Sequence, residues 1–179
     1  MPQEILDVQV KSCQQLSEKE YPEIITLCTQ AFRRDYEPIY KTFQNPTHIL
    51  GRHNGELVTH ALWVTRWFQN GNSPLMRTAF VEAVATEPSH RNKGFATEIM
   101  KGLTLKIQDF DIAALATGSP GFYIRLGWQQ WRGRLFIRKN NSLIPTPNEH
   151  GVMVLSLPKT PPLDLNAPLS VEWRKGDLW

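Results

Sequence analysis

The stretch from Arg91 to Ala96 has the residue types of a phosphate-binding turn. It lies between a predicted strand and a predicted helix, and a helix N-terminus offers unpaired N–H groups and partial positive charge. The small residues Gly94 and Ala96 allow a ligand to approach the backbone, while Arg91 and Lys93 add positive charge. These features suit a pyrophosphate. An ordinary loop with a flexible glycine remains the alternative.

A single carboxylate, Glu82, interrupts the apolar run from Ala79 to Ala85. Period-two alternation of a strand places Glu82 on the same face as Phe80 and Val84. Burying a carboxylate lowers stability by roughly several kcal/mol unless the group is paired or hydrogen-bonded. The position therefore indicates either a structural ion pair or a functional acid or base.

Tyr123 lies in the segment from Phe122 to Trp128 and is the third candidate. A tyrosine hydroxyl with a pKa of about 10 can donate a proton to a departing thiolate, whose conjugate acid has a pKa of about 8.5. A half-buried tyrosine that only packs is the alternative.

The elements that must position these residues begin with a helix from Tyr21 to Phe32, whose apolar residues follow helical spacing. Strands are predicted at residues 48–52 and 57–68, around the hairpin turn Asn54-Gly55. A further turn at residues 70–72 leads into a strand at residues 77–86.

The second half continues with a helix that begins at Gly94, a strand at residues 112–116 and a short helix that ends at Leu126. Strands are predicted at residues 129–138 and 151–157, and burial of apolar residues is predicted to order the tail. The apolar residues in that tail are Val171, Trp173, Leu178 and Trp179. The fold class is α/β, an α+β mixed sheet in which the unit at residues 77–116 is a right-handed parallel crossover.

The composition fits one globular domain over residues 1–179, with 41% apolar and 21% charged residues. The net charge of +3 is mild and the basic residues are scattered, so neither nucleic acid nor a membrane is an expected partner. No His, Cys or carboxylate spacing suits a metal, so none is expected. The N-terminus lacks a signal-peptide pattern and no apolar run could span a bilayer, which predicts a cytoplasmic protein.

Taken together, these residues resemble the GCN5-related N-acetyltransferase (GNAT) superfamily. The run from Val84 to Ala96 is similar to its strand-four end and Arg/Gln-x-x-Gly-x-Gly/Ala loop, and Phe122 to Trp128 is similar to its tyrosine-containing helix. The resemblance implies a central mixed sheet flanked by helices, and acetyl-CoA as co-substrate. It implies that main-chain groups of Val84, Ala85 and Thr86 pair with the pantetheine arm, and that residues Arg91, Asn92, Lys93, Gly94, Phe95, Ala96 and Thr97 hold the pyrophosphate.

A narrower resemblance, to the aminoglycoside 2′-N-acetyltransferases, covers nearly the whole chain. It is carried by residues 31–36, by His60-Ala61, by Val81-Glu82 and by the ending at residues 173–179, which is similar to a Trp-Arg-x-Gly-Asp-x-Trp motif. The family resemblance implies Glu82 as base and Tyr123 as acid. His60 is interpreted as a structural histidine, with a role as base the alternative. The resemblance also implies substrate contacts from Asp35, Glu82, Thr117, Glu149, Asp177 and the terminal carboxylate of Trp179. By analogy, a homodimer is possible.

Two further interpretations stay open. The chain could acetylate a different amine, such as an amino sugar, a polyamine or a protein terminus. It could also be a non-catalytic domain that binds coenzyme A. Ala83 stands where the resembled family has glycine, and the loop from Thr117 to Pro120 is shorter, so the acceptor side differs more than the cofactor side.

Overall fold

A computed structural model describes residues 5–146 and 151–179. These residues form four α-helices and ten β-strands, with short 3-10 turns at Cys13–Gln15 and Pro88–His90. In chain order the elements are β1 (Asp7–Ser12), α1 (Glu20–Phe32), α2 (Glu37–Tyr40), β2 (Thr47–His53), β3 (Glu56–Asn70), β4 (Met76–Thr86), α3 (Phe95–Lys106), β5 (Ile112–Thr117), α4 (Pro120–Ile124), β6 (Gln129–Gln130), β7 (Leu135–Lys139), β8 (Ser142–Thr146), β9 (Gly151–Ser156) and β10 (Leu169–Glu172). None of the described helices is long and apolar enough to cross a membrane.

The chain divides into two compact units. The first contains the residues up to Val64 together with Val81–Lys106, and the second contains Thr65–Phe80 together with Ile107–Trp179. Strands β3 and β4 each contribute residues to both units. The prediction of one domain over residues 1–179 stays a prediction.

In the first unit, β1, β2 and β3 form an antiparallel meander. The turn between β2 and β3 is the predicted one, because Asn54 and Gly55 have φ angles of 51° and 84°. Helix α3 packs closely on β2 where two glycines leave room. A Cβ on Gly102 would lie 3.0 Å from the Ile49 Cδ1, and one on Gly51 would lie 3.1 Å from the Ile99 Cδ1.

In the second unit the strands lie in the order β6-β9-β5-β4-β3-β10-β7-β8. The pairing of β4 with β5 is parallel and joins Thr78–Phe80 to Ile112–Ala114, as predicted for the crossover. Strand β5 pairs antiparallel with β9, and β10 pairs parallel with β7. The sheet is therefore mixed, which confirms the predicted fold class.

The single strand predicted at residues 129–138 is wrong. The structure splits it into β6, which pairs with β9, and β7, which pairs with β10 and β8. The break contains Gly133, where a Cβ would lie 1.9 Å from the carbonyl oxygen of Ala167. The backbone of residues 132–133 instead donates to the Leu165 carbonyl, so this segment leaves the sheet to hold the returning chain.

The tail follows the prediction in part. Val171 of β10 is fully buried, but the predicted burial of Trp173 is wrong because 46% of it is exposed. The Lys139 Nζ lies 4.3 Å from the centroid of the Trp173 ring. This cation–π contact shows how an exposed tryptophan is held at the surface.

Candidate active site

Strand β4 contains a left-handed residue beside the candidate base. Ala83 has a φ of 53°, which is uncommon for a residue with a Cβ, while its neighbours continue the strand. The prediction that Phe80, Glu82 and Val84 share one face of the strand required extended backbone throughout. The positive φ of Ala83 interrupts that extended backbone. Glu82 is partly exposed and its Oε1 atom is buried, so the carboxylate is buried only in part.

Side chains from β3 bind two carbonyl groups in this part of β4. The His60 Nδ1 lies 3.0 Å from the Ala83 oxygen, and the Thr59 Oγ1 donates to the Ala85 oxygen at 3.1 Å. Thr59 also lies 3.0 Å from the hydroxyl of Thr86. Sequence reasoning missed these contacts, although the signal was present as two adjacent polar residues in an apolar strand.

The loop between β4 and α3 is braced by its own side chains. The Glu87 carboxylate accepts a hydrogen bond from the His90 Nδ1 at 2.6 Å, and hydrogen bonds from Ser89 and His90 lower the pKa of Glu87. Arg91 donates to the carbonyl groups of Thr86 and Ala31, each at 3.4 Å. Arg91 therefore ties the loop to the end of β4 and to α1.

The N-terminus of α3 presents main-chain donors that the helix itself does not use. The Glu98 N–H donates to the Gly94 oxygen at 3.1 Å as the first helical hydrogen bond. The N–H groups of residues 95–97 precede it and have no acceptor within the helix. Gly94 has a φ of 85°, and a Cβ added there would meet no atom within 4 Å, so its backbone conformation, not crowding, selects glycine. Such a terminus can bind a phosphate group.

Asp35 also lies in the first unit and is exposed. Its Oδ1 accepts a hydrogen bond from the Glu37 N–H at 3.2 Å, at the start of α2. This contact leaves the second carboxylate oxygen for another donor, since an ionised carboxylate has about four acceptor positions.

Tyr123 lies in α4 of the second unit and is 9% exposed. Its ring makes edge contacts with Phe122 and Trp128, at centroid distances of 4.9 and 6.0 Å. Burial raises the pKa of Tyr123 to about 12, so its hydroxyl stays protonated at neutral pH. Helix α4 ends at Ile124, two residues before the predicted end at Leu126, and Gly127 has a φ of 88° in the turn that follows.

The remaining predicted substrate residues of the second unit that the structure describes lie at the end of β5 and in the tail after β10. Thr117 ends β5, and its Oγ1 accepts from the Ser119 N–H at 3.0 Å. Asp177 is exposed, and its main-chain oxygen accepts from the Arg174 Nε at 2.5 Å. The Trp179 Nε1 donates to the Thr146 Oγ1 at 2.9 Å. Glu149 lies outside the described residues.

Asp35, Glu82, the end of β4 and the start of α3 thus belong to the first unit, while Tyr123, Thr117, Asp177 and Trp179 belong to the second. Within the described ranges, no group of three or more His, Cys, Asp or Glu side chains is placed to hold a metal ion. The start of α3 in the first unit has the features of an anion-binding site. In the second unit, burial keeps the Tyr123 hydroxyl protonated at neutral pH.

Several solved structures share this fold. A GNAT family N-acetyltransferase (YhbS) from Escherichia coli, solved in complex with CoA, aligns with a TM-score of 0.62 and 14% identity over 94% of this chain and 91% of its own. Eis1 from Mycobacterium abscessus aligns with a TM-score of 0.60 and 17% identity over 73% of this chain. This chain spans 32% of the length of Eis1.

Sequence comparison identifies the family. An aminoglycoside 2′-N-acetyltransferase from Mycolicibacterium fortuitum is 32% identical over 138 residues, which cover 74% of this chain and 70% of that protein. The family model for the acetyltransferase (GNAT) domain matches residues 12–131, which include both β4 and the start of α3. The chain therefore belongs to the GNAT acetyltransferases, as the sequence motifs predicted.

Proposed function

We propose that this chain transfers the acetyl group of acetyl-CoA to the 2′-amino group of an aminoglycoside. The observation that carries the proposal is the 32% identity to an aminoglycoside 2′-N-acetyltransferase across most of both chains. The geometry of the first unit supports it independently, because it offers what a diphosphate-containing co-substrate needs.

The co-substrate side rests on main-chain groups. The N–H groups of residues 95–97 stand at the positive end of α3, where a diphosphate binds well. Lys93 adds charge beside them. The peptide groups of Val84 and Thr86 are the proposed partners of the pantetheine arm, which would bind as an added strand. The carbonyl groups of Ala83 and Ala85 on either side of Val84 are already bound by side chains of β3.

The acceptor side rests on carboxylates. An aminoglycoside carries several ammonium groups, and such a ligand requires negative side chains near it. Asp35, Glu82 and Asp177 are the described carboxylates at the positions that the family resemblance assigns to substrate. The mild net charge of +3 does not oppose this, since a polycation responds to the local field.

Glu82 is the proposed base. Only a neutral amine can attack the thioester carbonyl, so a proton must leave the substrate nitrogen before or during formation of the N–C bond. Glu82 would accept that proton, directly or through a water molecule. Its partly exposed position allows both the approach of an amine and the return of the proton to solvent.

Tyr123 is the proposed hydrogen-bond donor to the leaving sulfur, a narrower role than that of a general acid. As the C–S bond breaks, the sulfur gains negative charge, and the Tyr123 hydroxyl would donate a hydrogen bond to it. Its pKa of about 12 exceeds that of a free thiol by roughly 3.5 pH units, which makes complete proton transfer cost about 5 kcal/mol. Tyr123 therefore stabilises the developing thiolate by hydrogen bonding, and the proton released from the amine balances the reaction.

A different small amine is the second candidate acceptor. Ala83 replaces the glycine that the resembled family has beside the glutamate, and its buried methyl group lies next to Glu82 in the strand. This change affects the acceptor side and leaves the main-chain donors of α3 intact. It favours an acceptor of different shape without altering the use of acetyl-CoA.

The test is release of free thiol from acetyl-CoA by the purified chain. The acceptors should be two aminoglycosides that differ only in carrying an amino group or a hydroxyl at the 2′ position. We expect turnover with the 2′-amino compound alone, and loss of roughly 100-fold or more in Glu82→Gln, the scale of a general base.

Equal turnover of both compounds would place the acetyl group on another nitrogen and contradict the 2′ assignment. Thiol release with polyamines or peptide amines only would support the second candidate. Binding of coenzyme A without thiol release from any amine would overturn the enzymatic proposal.

A further inference from the structure

Three polar side chains form a continuous hydrogen-bonded chain in the interior of the first unit. The Tyr40 hydroxyl lies 3.1 Å from the His48 Nε2, and the His48 Nδ1 lies 3.0 Å from the His60 Nε2. The His60 Nδ1 lies 3.0 Å from the carbonyl oxygen of Ala83. Both imidazoles have zero exposed surface, so water does not mediate these contacts.

The Ala83 carbonyl oxygen, the last acceptor, fixes the donor and the acceptor in each of these hydrogen bonds. A carbonyl oxygen can only accept, so the proton of His60 is on Nδ1 and its Nε2 is the acceptor. The His48 Nδ1 must then be the donor to that Nε2, which leaves the His48 Nε2 to accept from Tyr40. Every donor and acceptor is used, with both histidines as neutral Nδ1–H tautomers.

Burial favours this neutral state at both histidines. It lowers the pKa of His48 to about 4 and that of His60 to about 3. Burial also raises the pKa of Tyr40 to about 12, which keeps its hydroxyl as a donor. The Cys28 Sγ lies 3.9 Å from the His60 Nδ1. Burial raises the pKa of the Cys28 thiol to about 12, so the thiol adds no charge beside His60.

The chain ends on the left-handed residue of β4. An alanine with a φ of 53° is less stable than one in extended backbone, so a contact that depends on this conformation helps to hold it. The bond from His60 is such a contact. The residues on either side of Ala83 are Glu82, the proposed base, and Val84, a proposed partner of pantetheine.

We propose that His60, oriented by His48 and Tyr40, is a positioning residue that fixes the left-handed turn at Ala83 and thereby directs Glu82 and the main chain of Val84. The inference rests on the proposed function for the role of Glu82. It does not depend on which amine is acetylated.

Two substitutions that each introduce a side-chain amide test the two nitrogen atoms of the His60 imidazole separately. The amide nitrogen of His60→Asn falls near the position of Nδ1 and keeps a donor for Ala83. The longer His60→Gln reaches toward the position of Nε2 and His48 instead. We expect His60→Gln to lower kcat by roughly 100-fold, the scale of a displaced catalytic group, and His60→Asn to retain most of kcat.

A third variant tests whether conformation is the cause. Glycine adopts positive φ about as readily as negative φ, so Ala83→Gly needs less support. We expect Ala83→Gly to restore part of the kcat lost in His60→Gln. Leu103→Ala is the control for destabilisation, because Leu103 is buried on α3 and takes no part in the hydrogen bonds of Tyr40, His48 and His60. We expect it to lower stability without the same fall in kcat.

NMR gives a readout that does not need turnover. Two of the five histidines should show neutral Nδ1–H imidazoles that do not titrate between about pH 5 and 8, since their pKa values lie below that range. The three-bond coupling between HN and Hα of Ala83 reports its φ. We expect this coupling to change in His60→Gln and to be retained in His60→Asn.

An Nε2–H tautomer at His60, or an unchanged Ala83 coupling in His60→Gln, would overturn the proposal. Equal loss of kcat in the two variants would also overturn it. If the wild-type chain acetylates no aminoglycoside, the proposed function fails, while the tautomer and coupling measurements still decide whether His60 holds Ala83.

Discussion

Arg66 is predicted to hold the last residues of the second unit in place. Its side chain has only 2% exposure and lies in β3, with its Nη2 donating to the Glu172 oxygen at 2.6 Å and its Nη1 to the Leu178 oxygen at 2.5 Å. The Nε lies 3.3 Å from the Glu172 Oε1, and the guanidinium lies 5.3 Å from the centroid of Phe80. One side chain thus binds two parts of the tail.

The perturbation is Arg66→Met, which keeps much of the apolar volume and removes all three donated bonds. Removing one partner of a buried charged pair costs about 3–5 kcal/mol. Here the Glu172 side chain is 39% exposed and water can solvate it after the change, which reduces the cost. We therefore expect a loss of about 2–3 kcal/mol, at the level of one or two bonds to a charged group.

Equilibrium unfolding in urea measures the loss, and hydrogen exchange locates it. The Trp173 N–H donates to the Arg138 oxygen at 3.0 Å and is a probe for opening of the tail. A loss of about 2 kcal/mol corresponds to roughly 30-fold faster exchange. Arg66→Lys should recover less than half, since an ammonium cannot reproduce the planar fork of the guanidinium.

Arg77→Met is the matched control in the same unit. Arg77 also contacts an aromatic ring and a carboxylate, but its side chain is 40% exposed, so the expected loss is about 1 kcal/mol or less. If Arg66→Met is no more destabilising than Arg77→Met, or if exchange at Trp173 is unchanged, the assigned role of Arg66 is refuted.

Three further changes test other parts of the molecule. Gly94→Ala forces a Cβ into a left-handed position and should weaken coenzyme A binding about tenfold by calorimetry, a cost of about 1–2 kcal/mol; unchanged affinity would remove that turn from the site. Tyr123→Phe keeps the ring packing and should lower kcat roughly 100-fold with little change in the KM for acetyl-CoA. An unaltered kcat would exclude the Tyr123 hydroxyl as the donor to the leaving sulfur. Burial alone would raise the pKa of Glu20, but hydrogen bonds from Lys11 and Ser17 outweigh it and lower the value to about 2. The stabilisation from ionised Glu20 is therefore complete above about pH 4.5 and is lost as the pH falls toward 2. Glu20→Gln should lower the free energy of unfolding by about 1–2 kcal/mol at pH 7 and by almost nothing near pH 2. An equal loss at both pH values would contradict this.

The sequence predicted most elements because local signals sufficed. Asn54-Gly55 specifies its hairpin turn through positive φ at both residues, and the apolar spacing in α1 and α3 specifies helices. The split of residues 129–138 was not predictable in this way. It depends on Ala167, more than thirty residues away, whose carbonyl approaches Gly133 too closely for any side chain.

The candidate site shows the same division between local and distant causes. The donors at the start of α3 follow from Gly94 and the strand-to-helix junction, which are adjacent in sequence. The conformation of Ala83 does not follow from its neighbours in sequence, because an alanine inside an apolar strand predicts extended backbone. Its left-handed φ depends on a donor at His60, and the direction of that donor depends on His48 and Tyr40. A glycine at this position would show the turn in the sequence; an alanine requires the rest of the unit to impose it.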